Sequence, residues 1–226
     1  MNATVVKVGG SLSLYPKKLK TLCLKISKIS KEQKLIVVPG GGEFADVVRC
    51  FDKSFHLSCS TSHGMAILGM DQYGMLLSDL MPGSITTHKL EEIRRFFDLD
   101  KLPIFLPSHL LLRDDPLENS WGVTSDSIAV YIAGRLQVTK VLLITDVDGI
   151  YNSDPKTFSK AKLIKNLSAN ELLAINKRTS VDKALPKLLL KTPIDCFVIN
   201  GLFPERIKLV LAGQDSVYTI IKGQCT

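Results

Sequence analysis

Apolar residues along this chain fall into two kinds of run, and the two alternate from end to end. Short, nearly continuous runs rich in Val, Ile and Leu occupy positions 4–8, 35–38, 104–106, 141–144, 196–199 and 217–221, the pattern of strands covered on both faces. Between them, positions 17–30, 43–55, 60–80, 125–135 and 204–212 read as helices. Parallel neighbours need a crossover and a helix supplies it, so the alternation predicts an α/β fold on a mainly parallel sheet. No repeat, low-complexity tract or long linker breaks the pattern, and residues 1–226 are expected to form one domain. Composition shifts near Asp146, where strand and turn residues replace helical ones. Two functional halves of one sheet are therefore expected, the second from about residue 140 to 226, one of the two holding an acceptor and the other a donor.

Two of the strands run into glycines. Val5-Val6-Lys7-Val8 leads to Gly9-Gly10-Ser11, and the strand ending at Val38 leads to Pro39-Gly40-Gly41-Gly42. In an open parallel sheet the carboxyl ends of strands share one crevice, where bare backbone N–H groups and helix N-termini can face the same polyanion. A lysine at the end of such a strand is placed to hold phosphate. Neither loop closes with the Gly-Lys-Ser/Thr of a P-loop, and neither spells G-x-G-x-x-G. One glycine turn commonly does no more than reverse the chain; two of them together with Lys7 point to phosphate chemistry.

Three further segments carry chemistry. Thr145-Asp146-Val147-Asp148-Gly149-Ile150-Tyr151 leaves an apolar strand and offers several oxygen-bearing side chains, with Asp154-Pro155 close behind. It is not a calcium loop, because Ile150 stands where the EF-hand spacing breaks. In Gly122-Val123-Thr124-Ser125-Asp126-Ser127, Thr124 or Ser125 can cap a helix, and Asp126 suits either its dipole or the orientation of catalytic lysines. In Lys183-Ala184-Leu185-Pro186-Lys187, Lys187 follows a proline near a helix start, where a cation is disfavoured unless it meets an anion. Lys177, Lys183 and Lys191 lie nearby, and spacing singles out none of them.

A formal net charge of +7 invites a nucleic-acid reading. The lysines are dispersed over helical stretches, however, and Trp121 is the one tryptophan, so no basic face with stacking aromatics is expected; anionic small substrates account for the charge. The five cysteines form no C-x-x-C pair and no metal-ligand spacing exists with four histidines, so reduced, mostly buried thiols are expected. No apolar run approaches a membrane span, and a cytoplasmic protein is expected.

Taken in order, Lys7-Val8-Gly9-Gly10-Ser11, Pro39-Gly40-Gly41-Gly42, Thr124-Ser125-Asp126, Thr145-Asp146-Val147-Asp148-Gly149-Ile150-Tyr151 with Asp154-Pro155, and Ile199-Asn200-Gly201 resemble the amino acid kinase family over nearly the whole chain. The resemblance implies a three-layer αβα sandwich that binds an acceptor on its N-terminal side and MgATP on its C-terminal side. It implies that Lys7 and Lys187 neutralise the transferring phosphoryl group, that Asp126 orients them, and that Gly9, Gly10 and Ser11 with Gly40, Gly41 and Gly42 hold phosphates. Thr145, Asp146, Gly149, Tyr151, Asp154 and Pro155 are implied to line the nucleotide pocket, and a homo-oligomer is the implied assembly. Glu43-Phe44-Ala45-Asp46 after the second loop lacks the histidine of isopentenyl phosphate kinases, and the uridylate kinase signatures are absent. The stretches 63–74 and 120–129 resemble a branch whose acceptor is a phosphate monoester of an aminomethylfuran. For that acceptor Asp71, or another acidic residue, is the expected partner of the ammonium, and Phe44 or Tyr73 of the furan.

Overall fold

The computed structural model describes residues 1–153, 157–158, 160–175 and 179–224. In chain order, β1 (Thr4–Val8) leads through a 3-10 turn (Gly10–Leu14) to α1 (Pro16–Ile29), and β2 (Leu35–Pro39) leads to α2 (Gly42–Phe55) and the long α3 (Cys59–Leu80). Then come β3 (Ser84–Thr87), α4 (Glu92–Asp98), β4 (Leu102–Phe105), α5 (Ser108–Asp114), α6 (Ser125–Arg135) and β5 (Lys140–Thr145). The remainder comprises β6 (Ile150–Tyr151), β7 (Leu163–Ile164), β8 (Asn166–Ser168), α7 (Ala169–Ala174), α8 (Leu185–Leu189), β9 (Asp195–Asn200), α9 (Glu205–Leu211) and β10 (Tyr218–Lys222).

One eight-stranded sheet runs β3-β4-β2-β1-β5-β9-β10-β8, and β6 and β7 form a separate antiparallel hairpin. From β3 to β9 every neighbour pair is parallel; β10 turns against β9, and β8 follows β10. All six strands read from the sequence are present. The chain works outward from β1 to β2 and then returns across it to β5, so the order reverses at β1, the kind of position where parallel sheets open a ligand crevice.

Alternation along β1 decides where Lys7 points. Val6 and Val8 pack with Leu22 and Ile26 of α1 and Ile207 of α9, whereas Val5 packs on the other face with Ile128, Ala129 and Ile132 of α6 and Leu185 of α8. Residues two apart on a strand share a face, so Lys7 lies on the side of α6. With helices on both faces this is the expected αβα sandwich.

The thiols depart from expectation. Cys23 and Cys196 are buried, and burial pushes Cys23 up to about 12, but Cys50 and Cys59 are exposed on α2 and at the start of α3. Cys225 lies outside the described residues. No helix among the described residues is long and apolar enough to cross a membrane.

Candidate active site

The two glycine loops touch backbone to backbone. Gly9 N–H donates to the Ile144 carbonyl at 2.7 Å, and Gly40 N–H donates to the Val8 carbonyl at 2.8 Å, which seats both loops on the central strands. A Cβ on Gly10 would lie 2.1 Å from the Gly42 nitrogen, and Gly42 itself has φ +56°. Glycine is therefore dictated by space at one position and by conformation at the other. Beneath them the Tyr73 hydroxyl donates to the Gly9 carbonyl at 3.3 Å, and burial raises that phenol far above its ordinary value, so it stays a neutral donor.

Lys7 Nζ sits 2.6 Å from Asp126 Oδ1, with the two residues 6 % and 5 % exposed. The other oxygen, Asp126 Oδ2, accepts the Asp182 N–H at 3.2 Å. A cation and a carboxylate buried this deeply persist because each is paired and hydrogen-bonded.

Two cavities flank this centre. The first, about 300 Å3, is walled by Gly10, Gly41 and Gly42 of the loops, by Glu43 and Asp46 of α2, and by the apolar Ile67 and Met70 of α3. The second, about 840 Å3, is walled by Asp126, Asp182, Lys183 and Pro186 with Leu172 and Leu173 of α7. Arg49 and Trp121 border both. The Arg49 guanidinium lies 4.6 Å from the Trp121 ring centroid and pairs with Asp46 at 2.6 Å, while the indole N–H donates to Asp52 at 2.7 Å.

Beyond Lys7, the carboxyl end of β5 gathers polar groups. Ser11 and Thr145 hydroxyls both donate to Asp146 Oδ1, at 2.9 and 3.2 Å. Asp148 accepts from Asn200 Nδ2 at 2.9 Å and pairs with Arg206. Burial alone would raise the Asp148 carboxyl, but Arg206 and Asn200 outweigh it and hold it below the usual range. Tyr151 is raised by burial and by the charge of Asp148. Gly149 has φ +150°, and a Cβ there would lie 2.4 Å from Thr219 Oγ1, whose hydroxyl accepts the Ile150 N–H.

The sequence profile of the amino acid kinase family matches residues 2–190. The chain belongs to the amino acid kinase family. It is 40% identical over 97% of its length, and 97% of the relative's, to [5-(aminomethyl)furan-3-yl]methyl phosphate kinase of Methanocaldococcus jannaschii. Uridylate kinase of Thermococcus sibiricus is 28% identical over 97% of this chain and 95% of its own. Among solved structures, uridylate kinase of Archaeoglobus fulgidus shares the fold with a TM-score of 0.77 at 22% identity, covering 97% of this chain and 99% of that one.

On this amino acid kinase frame the residues singled out in the sequence separate into three sets. Lys7, Gly9, Gly10, Ser11, Gly40, Gly41, Gly42, Asp126, Thr145 and Asp146 converge on the carboxyl ends of β1, β2 and β5 or on the start of α6, and Gly149 and Tyr151 follow at the β6–β7 hairpin, where Gly149 lies against Thr219 and Leu163. Asp154, Pro155 and Lys177 lie outside the described residues.

Lys187, Phe44 and Asp71 line neither cavity, and neither do Lys7, Gly9, Gly40, Thr145, Asp146, Gly149 and Tyr151; the first three differ in lying away from the strand ends. α8 is only five residues long, so Lys187 falls within its last turn and the unfavourable dipole expected there does not arise; the side chain is exposed. Lys183 is the lysine of that segment that borders the second cavity. Asp71 is engaged by the fold instead: Oδ1 accepts the Ser108 N–H at 3.2 Å, and Oδ2 lies 3.7 Å from His88 Nδ1. Phe44 is on the outer side of α2, where its Cβ packs over Gly69.

Sequence reasoning passed over Asp182, Arg49, Glu43 and Asp46. For Asp182 a signal existed, since an aspartate three residues before Leu185-Pro186 is a helix-capping pattern. For α2 the signal was helical spacing: Glu43, Asp46 and Arg49 recur every three residues directly after the second glycine loop.

Proposed function

We propose that this chain is an ATP-dependent phosphotransferase whose acceptor is a phosphate monoester, [5-(aminomethyl)furan-3-yl]methyl phosphate, converted to its diphosphate. The observation that carries the reading is the buried Lys7–Asp126 pair at 2.6 Å under two mutually touching glycine loops, in a chain 40% identical to the kinase of that name. A phosphate acceptor is already an anion, so transfer asks for positioning and charge neutralisation and not for a strong base. One acceptor oxygen attacks the γ-phosphorus of ATP as the bond to the leaving oxygen breaks, and ADP departs with that electron pair.

The first cavity suits the acceptor. Gly10, Gly41 and Gly42 offer backbone at one end, Ile67 and Met70 supply an apolar wall for a furan, and Glu43 with Asp46 supplies carboxylates for an ammonium. These two are the other acidic residues open to that role, Asp71 being engaged by Ser108 and lining neither cavity.

The donor falls to the C-terminal half, where the resemblance to the family gives Thr145, Asp146, Gly149 and Tyr151 to the nucleotide; the first two stand at the carboxyl end of β5 and the others at the hairpin that follows. The cradle left by the close approach of Gly10 and Gly42 and the oxygen-rich end of β5 fit MgATP. Mg2+, when bound, would supply positive charge against that of the phosphates. Asp146, whose carboxylate is steadied by Ser11 and Thr145, would hold it. Lys7 faces the transferring group while Asp126 keeps its ammonium from swinging away. Lys183, on the second cavity wall, is the better placed of the two candidates for a second cation; Lys187 is the one the resemblance implies.

The test is ADP release with MgATP across a panel: the aminomethylfuran phosphate, UMP, isopentenyl phosphate and an uncharged-side-chain furan phosphate. Preference for the first is expected, by about fivefold in kcat/KM over the uncharged-side-chain analogue, from a charge contact of roughly 1 kcal/mol at the exposed Glu43 or Asp46. Equal rates with UMP, or no ADP release with any acceptor, would overturn the reading.

A further inference from the structure

Asp182 touches neither glycine loop, yet its carboxylate is the most heavily hydrogen-bonded side chain among the described residues near Lys7. Oδ2 accepts Thr124 N–H at 2.9 Å, Thr124 Oγ1 at 3.0 Å and Ser127 N–H at 2.9 Å; Oδ1 accepts Ser127 Oγ, Ala184 N–H at 3.2 Å and Leu185 N–H at 2.9 Å. Thr124, in the capping position of α6, makes no side-chain cap of its own. The cap comes instead from a residue 55 to 58 positions away, which at the same time caps α8. Its own N–H then donates to Asp126 Oδ2 at 3.2 Å, opposite the oxygen that holds Lys7.

We infer that Asp182 is a positioning residue for phosphoryl transfer: it locks the start of α6 and the lysine-bearing segment 183–187 into one unit, and thereby sets Asp126 against Lys7. This rests on the phosphotransferase reading above. A carboxylate with one N–H on one oxygen and a lysine on the other has no freedom to rotate. The N–H is Asp182's own, and Asp126 itself stands in the helix start that the Asp182 carboxylate caps, whereas Lys7 is held by β1. Because Lys183 follows Asp182 directly and Lys187 lies one turn further on, the same carboxylate places the second cation relative to the first. Two carboxylates this close would repel, and burial together with the Asp126 charge raises the Asp182 carboxyl accordingly. Four backbone N–H groups at two helix starts offset that repulsion.

A kinetic cycle tests this, using Asp182→Asn, Asp126→Asn and the double variant, with kcat, the KM for acceptor and for MgATP, and a thermal melt of each. Asp182→Asn is expected to lower kcat by about 10- to 100-fold, the usual cost of removing an outer partner of a reacting group, with the acceptor KM within about twofold. On the Asp126→Asn background the same change should cost less than about threefold, since the residue it acts through is gone. Should Asp182→Asn fail to fold, Thr124→Val with Ser127→Ala removes the two hydroxyl donors and leaves the backbone bonds; a kcat loss of about fivefold at unchanged acceptor KM is expected. Equal fold-losses in both backgrounds, or a kcat within twofold of wild type in the folded variant, would assign Asp182 to stability alone. Wild-type protein that turns over no acceptor takes down both readings, whereas additive losses in an active enzyme take down only this one.

Discussion

Replacing Lys7 by Met separates what the buried pair does for the fold from what it does for the reaction. The ammonium and Asp126 sit 2.6 Å apart at 6 % and 5 % exposure. Removing one member of such a pair leaves a buried carboxylate without its cation, typically a loss of 3–5 kcal/mol. Asp126 keeps the Asp182 N–H, so the lower end, about 3 kcal/mol, is expected. In a domain of this size that lowers Tm by roughly 6–12 °C. Lys7→Met/Asp126→Asn removes the stranded charge and should recover more than half of that loss. Turnover will not recover with it. The ammonium is the group proposed to meet the transferring phosphoryl, and loss of one preorganised donor of this kind costs about 1000-fold in kcat, or roughly 4 kcal/mol. Thermal melts and coupled ADP release on the wild type, the single and the double variant measure both quantities. A single variant within tenfold of wild-type kcat refutes the catalytic assignment, and a double variant no more stable than the single refutes the electrostatic account of the pair.

Two further predictions follow from the C-terminal half. Lys183→Ala is expected to reduce kcat/KM for MgATP by more than about tenfold and Lys187→Ala by less than about threefold, because only Lys183 borders the second cavity; the reverse order would restore Lys187 as the second cation. Arg206 and Asn200 hold Asp148 below the ordinary carboxylate value, so this group stabilises the fold at neutral pH and loses its contribution as pH falls through its depressed pKa. The Tm gap between wild type and Arg206→Ala should accordingly be widest near pH 7 and close below about pH 4, and a gap constant across that range would contradict the assignment.

The strands that were legible in the sequence are the ones buried on both faces, where nearly every residue must be apolar; Thr4–Val8 and Leu35–Pro39 were read to within a residue. β3, Ser-Ile-Thr-Thr at the sheet edge, was not, because only one of its faces needs covering and it offers no apolar run. Short α4, α5 and α7 escaped for a similar reason, since fewer than two turns show no clear period. In the site, glycines and Lys7 were legible because close backbone approach and strand-end position leave local marks. Asp182 left a local mark as the cap of α8, but its bonds to Thr124 and Ser127, like the Asp148–Arg206 pair, join residues 55 or more positions apart, and no window along the chain contains them. Asp71 was open to two readings, because a carboxylate on an apolar helix serves equally as a ligand or as the acceptor it is for Ser108 N–H.

The central place of β1 also bears on how the protein is made. Thr4–Val8 is completed on one side by Leu35–Pro39 and on the other by Lys140–Thr145. About a hundred residues of synthesis separate those two events, roughly 5–20 s at ordinary elongation rates. Until β5 emerges, the nascent chain presents Val5, Val6 and Val8 along an open strand edge, the arrangement most prone to pairing with a neighbour. Slow elongation through residues 40–140, or a chain truncated before Lys140, therefore exposes a sticky intermediate. Its yield in the soluble state should depend on holdase chaperones more than on the stability of the finished domain.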